Sequence, residues 1–527
     1  SSAPHDGHRK SGGTDVRRLS RGLAPLVLVG LAACAQLEPR PDLPVETAIP
    51  AAGGSKVDRL IAPAEARHPG ESAFRLLNEG PEAFVVRAHS AKLAGRSLDV
   101  QTYIWHGDLT GAYLARQLLD AADRGVKVRL LVDDMDARAK NAGFAALAEH
   151  PNIAVRMFNP FASRKGTMSM VGEGLTSFGR INHRMHNKTW IADNRIAIVG
   201  GRNLGDEYFG ASDEVNFVDL DFAMIGPIVR DASASFDKYW NSPAAYPMEV
   251  LDPAGVSPDA LERLRGRLAD GLADATKSRY AEILRADDAV RRLVAGDWPM
   301  DWTGKYYFAS DDPLKAMMPD QDPGRSVVAQ KLVALVQSMH TELTVISPYF
   351  VPGEEVTTSW VKSVKAGKRV RVLTNSLIAN DVAAVHGGYA RYRERLVEGG
   401  VQVWELKPLA GSDVQSSLFG SSGASLHTKS LVVDGRTLFV GSYNLDPRST
   451  WLNCEQGVIV ESAALAQQLE AIFAEQTAPQ RAWQVTRVDD ELRWSDGTET
   501  FDRDPKASAW QRFQAWITRV LHLDAQL

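Results

Sequence analysis

Four segments from the first half of the chain return, in the same order, in the second. Leu98–Trp105 (LDVQTYIW) returns as Leu343–Phe350 (LTVISPYF). Gly125–Asp134 (GVKVRLLVDD) returns as Gly367–Ser376 (GKRVRVLTNS), and Asn152–Pro160 (NIAVRMFNP) as Gly400–Pro408 (GVQVWELKP). Arg184–Asp193 (RMHNKTWIAD) returns as Ser425–Asp434 (SLHTKSLVVD). All four offsets are about 240–250 residues. Chance can supply one such match but not four in register, so the fold must be built from two similar units.

Each unit alternates short Val/Ile/Leu-rich runs with longer amphipathic stretches. Leu114, Leu118, Leu119 and Ala122 have helical spacing, and the strand-like run 126–132 follows. This is an α/β pattern, and it predicts a buried, largely parallel sheet in each half. The 527 residues, 44% hydrophobic and 24% charged, suit two globular bodies and exclude a disordered chain. The net charge of −5 gives no electrostatic reason to expect nucleic acid as a partner.

The boundaries follow from composition. Arg9, Lys10, Arg17, Arg18 and Arg21 precede the apolar run Leu23–Ala33, which is too short to span a membrane. Residues 1–33 therefore read as a secretory signal. Leu31-Ala32-Ala33-Cys34 resembles a bacterial lipobox, which makes Cys34 a lipidation site. The expected place is the cell envelope, lipid-anchored and facing the periplasm. Ala35 is not the Asp that retains lipoproteins at the inner membrane, which favours the outer membrane. Residues 34–70 are Pro-rich and read as a tether. The halves are expected over 71–250 and 301–495, with a helical insertion over 251–300 between them. The segment 496–527 carries an amphipathic helix whose apolar face is Trp510, Phe513, Ile517, Val520 and Leu521, flanked by Trp516.

The chemistry is concentrated in the last repeated segment. His186-x-Lys188 with Asp193, and His427-x-Lys429 with Asp434, stand at matching places. Each is followed by a Gly/Asn turn, Gly200-Gly201-Arg202-Asn203 and Gly441-Ser442-Tyr443-Asn444. In an extended chain, positions i and i+2 project to one face, so His and Lys of each motif point together. Imidazole is a nucleophile near neutral pH and a proton donor there.

The doubled pattern resembles the phospholipase D superfamily, whose two HKD motifs meet to build one site. The implied fold is two similar α/β/α-sandwich halves with a shared active site at their interface. Tyr103-Ile-Trp-His106, Arg184–Lys188, Gly200–Phe209, Tyr349–Pro352, Leu373–Ser376 and Gly441–Ser449 look like the bacterial cardiolipin synthases of the C type. The likeness covers residues from about 70 to 527. It implies transfer of a phosphatidyl group to phosphatidylglycerol, with phosphatidylethanolamine or phosphatidylglycerol as donor, at a membrane surface. The implied mechanism is ping-pong. His186 forms a phosphohistidine, and His427 protonates the leaving alcohol and then deprotonates the incoming one. Lys188 and Lys429 neutralise phosphoryl charge, and Asn203 and Asn444 donate further hydrogen bonds. No metal or other cofactor is needed, and one chain supplies the whole catalytic unit. Asp193 and Asp434 are then turn or structural residues.

A nucleophilic histidine needs its other nitrogen held by an acceptor. Asn453 and Glu455 precede Gly457–Val460, and Asp219 and Asp221 precede Phe222–Ile225. Glu455 and Asp221 are taken as the matching pair that orients the motif histidines. His106 and His386 lie near strand ends where α/β sites collect, His183 reads as solvated, and Cys454 as a small buried residue. With water as second alcohol the enzyme is a phospholipase D forming phosphatidic acid. A phosphodiesterase or nuclease of the superfamily and a non-catalytic lipid-binding lipoprotein are the other readings.

Overall fold

A computed structural model describes residues 37, 39–137, 140–162, 178–317, 326–380, 382–408 and 426–521. The leader 1–33 and Cys34 lie outside them. The repeat appears as two mixed sheets. The first takes β1 (Ser72–Leu77), β2 (Ser97–Thr102), β3 (Lys127–Asp133), β4 (Ile153–Phe158), β5 (Thr189–Ala192), β6 (Ile196–Gly200), β7 (Asp221–Ile225), β8 (Ala245–Pro247) and β9 (Asp301–Thr303), in the order 8-4-3-2-5-6-7-1-9. The second takes β10 (Tyr306–Ser310), β11 (Glu342–Ile346), β12 (Arg369–Asn375), β13 (Gln402–Leu406), β14 (Ser430–Val433), β15 (Thr437–Gly441), β16 (Gln456–Glu461), β17 (Ala482–Val488), β18 (Glu491–Ser495) and β19 (Thr500–Phe501), in the order 10-16-15-14-11-12-13-17-18-19.

The expectation of largely parallel sheets is corrected. Among the described strands only β2–β3–β4 and β11–β12–β13 pair in parallel, joined by crossover helices such as Leu109–Asp123 and Gly353–Lys365. The motif strands form antiparallel hairpins, β5–β6 and β14–β15, that lie along β2 and β11. Each hairpin turns at the motif aspartate, which adopts a left-handed backbone, φ 55° at Asp193 and 54° at Asp434.

Helices cover both faces of each sheet. On the seam between the halves, Ile228–Trp240 and Ala463–Gln476 share one core with both sheets. Phe74, Met185 and Phe222 of the first half pack there with Leu426, Val440 and Cys454 of the second. Burying each large apolar side chain contributes about 1.5–3 kcal/mol, so the seam is held as a protein interior is. The insertion is helical, over Pro258–Gly271, Arg279–Ala286 and Asp288–Ala295, and sends Leu264, Leu268 and Tyr280 into the outer core of the first half.

The tether is shorter than its prolines imply. Arg40 donates to the Ala245 carbonyl, Glu46 pairs with Arg156, and Ala48 N–H donates to Asp237, so this stretch is tied to the body. Lys56–Glu65 is a helix capped by Ser55 and Asp58. The C-terminal segment forms a helix over Ala509–Leu521. Its buried residues are Gln511, Ala515 and Thr518, whereas Trp510, Phe513 and Trp516 are exposed. No helix of the described residues is long and apolar enough to cross a membrane.

Candidate active site

The two motifs come together at the seam because each is held by the other half. His186 N–H donates to the Cys454 carbonyl at 2.9 Å, and Cys454 N–H returns to Arg184 O at 2.8 Å. His427 N–H donates to Val218 O at 2.8 Å. Gln456 reaches back to Lys188 O and Thr189, and Arg448 grips Asn182 through both its terminal nitrogens. His186–Lys188 and His427–Lys429 therefore sit in extended chain just before β5 and β14, at the ends where the parallel strands finish.

The carboxylates that hold the histidines are crossed. His186 Nδ1 lies 3.0 Å from Glu455 Oε2 and 3.1 Å from the Ser442 carbonyl. His427 Nδ1 lies 2.6 Å from Asp219 Oδ2. With Nδ1–H donating to an acceptor in both rings, Nε2 is left as the lone-pair nitrogen. Asp221, expected to serve His427, does not touch it. Its carboxylate is buried against Arg87 at 2.9 Å and Arg202 at 3.3 Å. The reason is register: Gly200 pairs with Asp221, whereas Gly441 pairs with Gly457, so the residue matching Glu455 is Asp219.

The surroundings differ between the halves. Ser442 Oγ donates to Glu455 at 2.5 Å. Gly201 stands at the matching turn position, and a Cβ there would collide with the Asp219 carboxylate. Tyr103 meets His186 edge-on at 5.2 Å, and the Lys188 ammonium lies 5.3 Å from its ring centre. His427 lies between Tyr208 and Phe217, at 5.3 and 5.6 Å. Lys188 Nζ donates to His186 O at 2.6 Å, and Lys429 Nζ to His427 O.

Burial pushes the His186 imidazole down to about 4; Glu455 opposes the shift, and Lys188 and Lys429 add to it. His427 is likewise pushed down to about 4, by burial and Lys429 against the pull of Asp219. Lys188 is held well below the usual ammonium range by burial. Burial raises Glu455 and Asp219, but the facing imidazoles and lysines outweigh it and keep both below the usual carboxylate range. The site is thus a largely buried cluster of two imidazoles and two lysines backed by two carboxylates, suited to an anionic phosphoryl group.

The remaining sequence candidates take other places. Asn203 accepts from Ile104 N–H and donates to the Tyr208 hydroxyl, which braces that wall of the site. Asn444 is buried, with its side-chain oxygen unpartnered. Asp193 accepts from the backbone N–H groups of Gly95, Arg96 and Ser97, and Asp434 from those of His340, Thr341 and Glu342, so both pin the motif hairpins to β2 and β11. His183 is buried rather than solvated, and Cys454 is buried with its thiol pushed up to about 12. His106 pairs with Glu207, and His386 with Asp504 and Arg393. Sequence reasoning missed Tyr103, Ser442, Tyr208, Phe217 and Gln456. Of these, Tyr103, Tyr208 and Ser442 had a signal, since they lie in segments that carry the family likeness.

Two α/β/α halves that complete each other's histidines define a two-motif phosphodiester-transfer enzyme of the phospholipase D type. The chain belongs to the family described as cardiolipin synthase, phospholipase D-like domain, whose model matches residues 88–240 and 332–477. It is 39% identical over 478 residues to cardiolipin synthase C of Escherichia coli, covering 88% of this chain and 98% of that one. It is 26% identical to cardiolipin synthase A of Pseudomonas aeruginosa over 76% of this chain and 66% of the relative. Among solved structures, phosphatidylserine synthase of Haemophilus influenzae shares the fold with a TM-score of 0.56 at 13% identity, covering 90% of this chain and all of that one.

Proposed function

We propose that the chain is a phosphatidyltransferase that forms cardiolipin from phosphatidylglycerol and a second phospholipid, phosphatidylethanolamine or phosphatidylglycerol. The crossed pairing, Glu455 on His186 and Asp219 on His427, carries the reading, because it readies two imidazoles with opposite tasks at one seam. His186 Nε2 attacks the donor phosphorus, and the bond to the leaving alcohol breaks as His427 gives it a proton. The acceptor hydroxyl then gives a proton to His427 and displaces His186. Burial favours neutral imidazoles, and a phosphodiester anion beside them favours the imidazolium that the acid step needs. Lys188 and Lys429 balance the charge that grows on phosphorus. Asp219 and Glu455 hold ring orientation and stabilise each imidazolium in turn.

The enzyme works at the cell envelope, anchored through a lipid on Cys34, and one chain carries the complete site. Incubating the full chain with labelled phosphatidylglycerol and phosphatidylethanolamine tests the reaction. Labelled cardiolipin supports transfer; phosphatidic acid as the sole product makes the enzyme a phospholipase D. Fatty-acid label that persists in Cys34→Ala removes the anchor.

A further inference from the structure

The C-terminal helix Ala509–Leu521 is seated with its small side chains inward. Ala515 and Thr518 pack on the helix Ala383–Glu398 at Gly387, where any Cβ would collide with the Ala515 carbonyl. The approach to the helix is fixed as well. Asp504 pairs with Arg393 at 2.7 Å and His386 at 3.0 Å, and its carbonyl accepts from Arg512 at 3.0 Å. Ser508 and Gln511 exchange side-chain and backbone hydrogen bonds at the helix start.

What this seating turns outward is aromatic. Trp510, Phe513 and Trp516 are 57%, 46% and 52% exposed, with successive rings stacked at 5.5 and 6.2 Å. Among the described residues these are the only two tryptophans more than about a third exposed, so the exposure is particular to this face. Residues 505–521 contain Lys506, Arg512 and Arg519 and no acidic residue.

The face lies at the catalytic end of its half. Ala515 clusters with Leu377 and Ala383. Leu377 lies two residues beyond Asn375, whose side chain bonds both backbone groups of Leu426, the neighbour of His427. Further exposed apolar side chains occur at this end. Met135 (43%) lies two residues beyond Asp133, which holds Met185 N–H. Leu314 (40%) and Met317 (48%) follow Asp311, whose N–H donates to the Glu455 carbonyl.

We propose that this end of the molecule docks on an anionic lipid bilayer, with Trp510, Phe513 and Trp516 entering the headgroup–acyl boundary. The inference rests on the phospholipid-substrate reading above and adds the surface that brings the site to its lipids. The helix has 13 residues, too few to span, so it lies in the plane of the interface. Two tryptophans beside arginines suit that boundary, where ring and cation meet the headgroups. Met135 of the first half, and Leu314 and Met317 beyond β10 of the second, add apolar side chains at this end.

The test is quenching of tryptophan fluorescence by lipids brominated on their acyl chains. The full chain carrying His186→Ala, which separates docking from turnover, is mixed with phosphatidylglycerol/phosphatidylethanolamine vesicles. Docking predicts clear quenching, and Trp510→Phe with Trp516→Phe should remove at least half of it at an unchanged thermal midpoint. Absence of quenching in the parent chain on vesicles overturns the proposal whatever the variant does. Equal quenching in parent and variant overturns it too. A parent that dimerises off vesicles, and becomes monomeric with Trp510→Ser, Phe513→Ser and Trp516→Ser while quenching is absent, gives the face to a second copy and also overturns it. Failure to make cardiolipin leaves this measurement untouched and counts against the proposed reaction alone.

Discussion

Asp219→Asn and Asp221→Asn should separate two neighbouring carboxylates cleanly. Asp219 Oδ2 is 2.6 Å from His427 Nδ1, so it faces the imidazolium that forms when His427 takes the acceptor's proton. Two unit charges about 4 Å apart interact by about 4 kcal/mol at an effective dielectric of 20. Each 1.36 kcal/mol is tenfold in rate, so losing that charge should cost about 10³ in kcat. The amide oxygen of Asn can still accept the Nδ1 hydrogen bond, which lowers the expected loss to about 10²–10³. The fold should persist. Asp221 is different, because Arg87 and Arg202 converge on it in the core. Asp221→Asn strands two buried guanidinium groups and should destabilise by about 3–5 kcal/mol. The assay is single-turnover phosphatidyl transfer, with denaturant unfolding of each variant. A folded Asp219→Asn enzyme within tenfold of wild type refutes the crossed-carboxylate mechanism, and a fully stable Asp221→Asn chain refutes its structural role.

Three further outcomes are expected. His186→Ala and His427→Ala should each cost most of the activity, and the double variant little more than the worse single one, because the pair acts as one unit; additive losses in steady-state rates would contradict the shared site. Both imidazoles sit near 4 in the fold against an ordinary 6.5, so between these values the unfolded chain binds more protons. Stability should therefore be full above about pH 6.5 and fall as pH drops towards 4, and thermal melts should show a shallower fall in the double alanine variant. Asp434→Ala removes the acceptor of three backbone N–H groups beside β11 and should destabilise by about 1–3 kcal/mol, read by denaturant titration.

The His–Lys pairs were legible because the chain repeats them at matching places, and Glu455 because it stands at the entry to the strand-like run Gly457–Val460. The partner of His427 was misplaced by two residues. Nothing in Asp219-Leu220-Asp221 distinguishes the residue that faces the seam from the one that faces Arg87 and Arg202; only the pairing of Gly200 with Asp221 does so. The antiparallel hairpins had a readable signal in Asp434-Gly435, a turn favoured between two short strands, but the α/β alternation outweighed it. Phe217 and Gln456 join the site through contacts across long stretches of chain, which no local pattern records. The apolar periodicity of the C-terminal helix marks its Trp510 face, but periodicity alone does not say whether such a face meets the core or the surroundings. Gly387 decides it, since its missing side chain lets Ala515 and Thr518 fill the contact.

The crossed carboxylates also limit how this enzyme can be recombined. Exchanging one half with a relative's would carry over an intact His–Lys pair but leave its ring dependent on a stranger's acid. The transferable unit is therefore not the half with its own motif. It is the set of strand ends that trade hydrogen bonds, residues 184–189 with 454–456 and residues 218–219 with 426–428. A chimera that keeps these partners together keeps both histidines oriented, even when the crossover falls inside a half. One that divides them leaves each histidine to a carboxylate placed by another sequence's strand register.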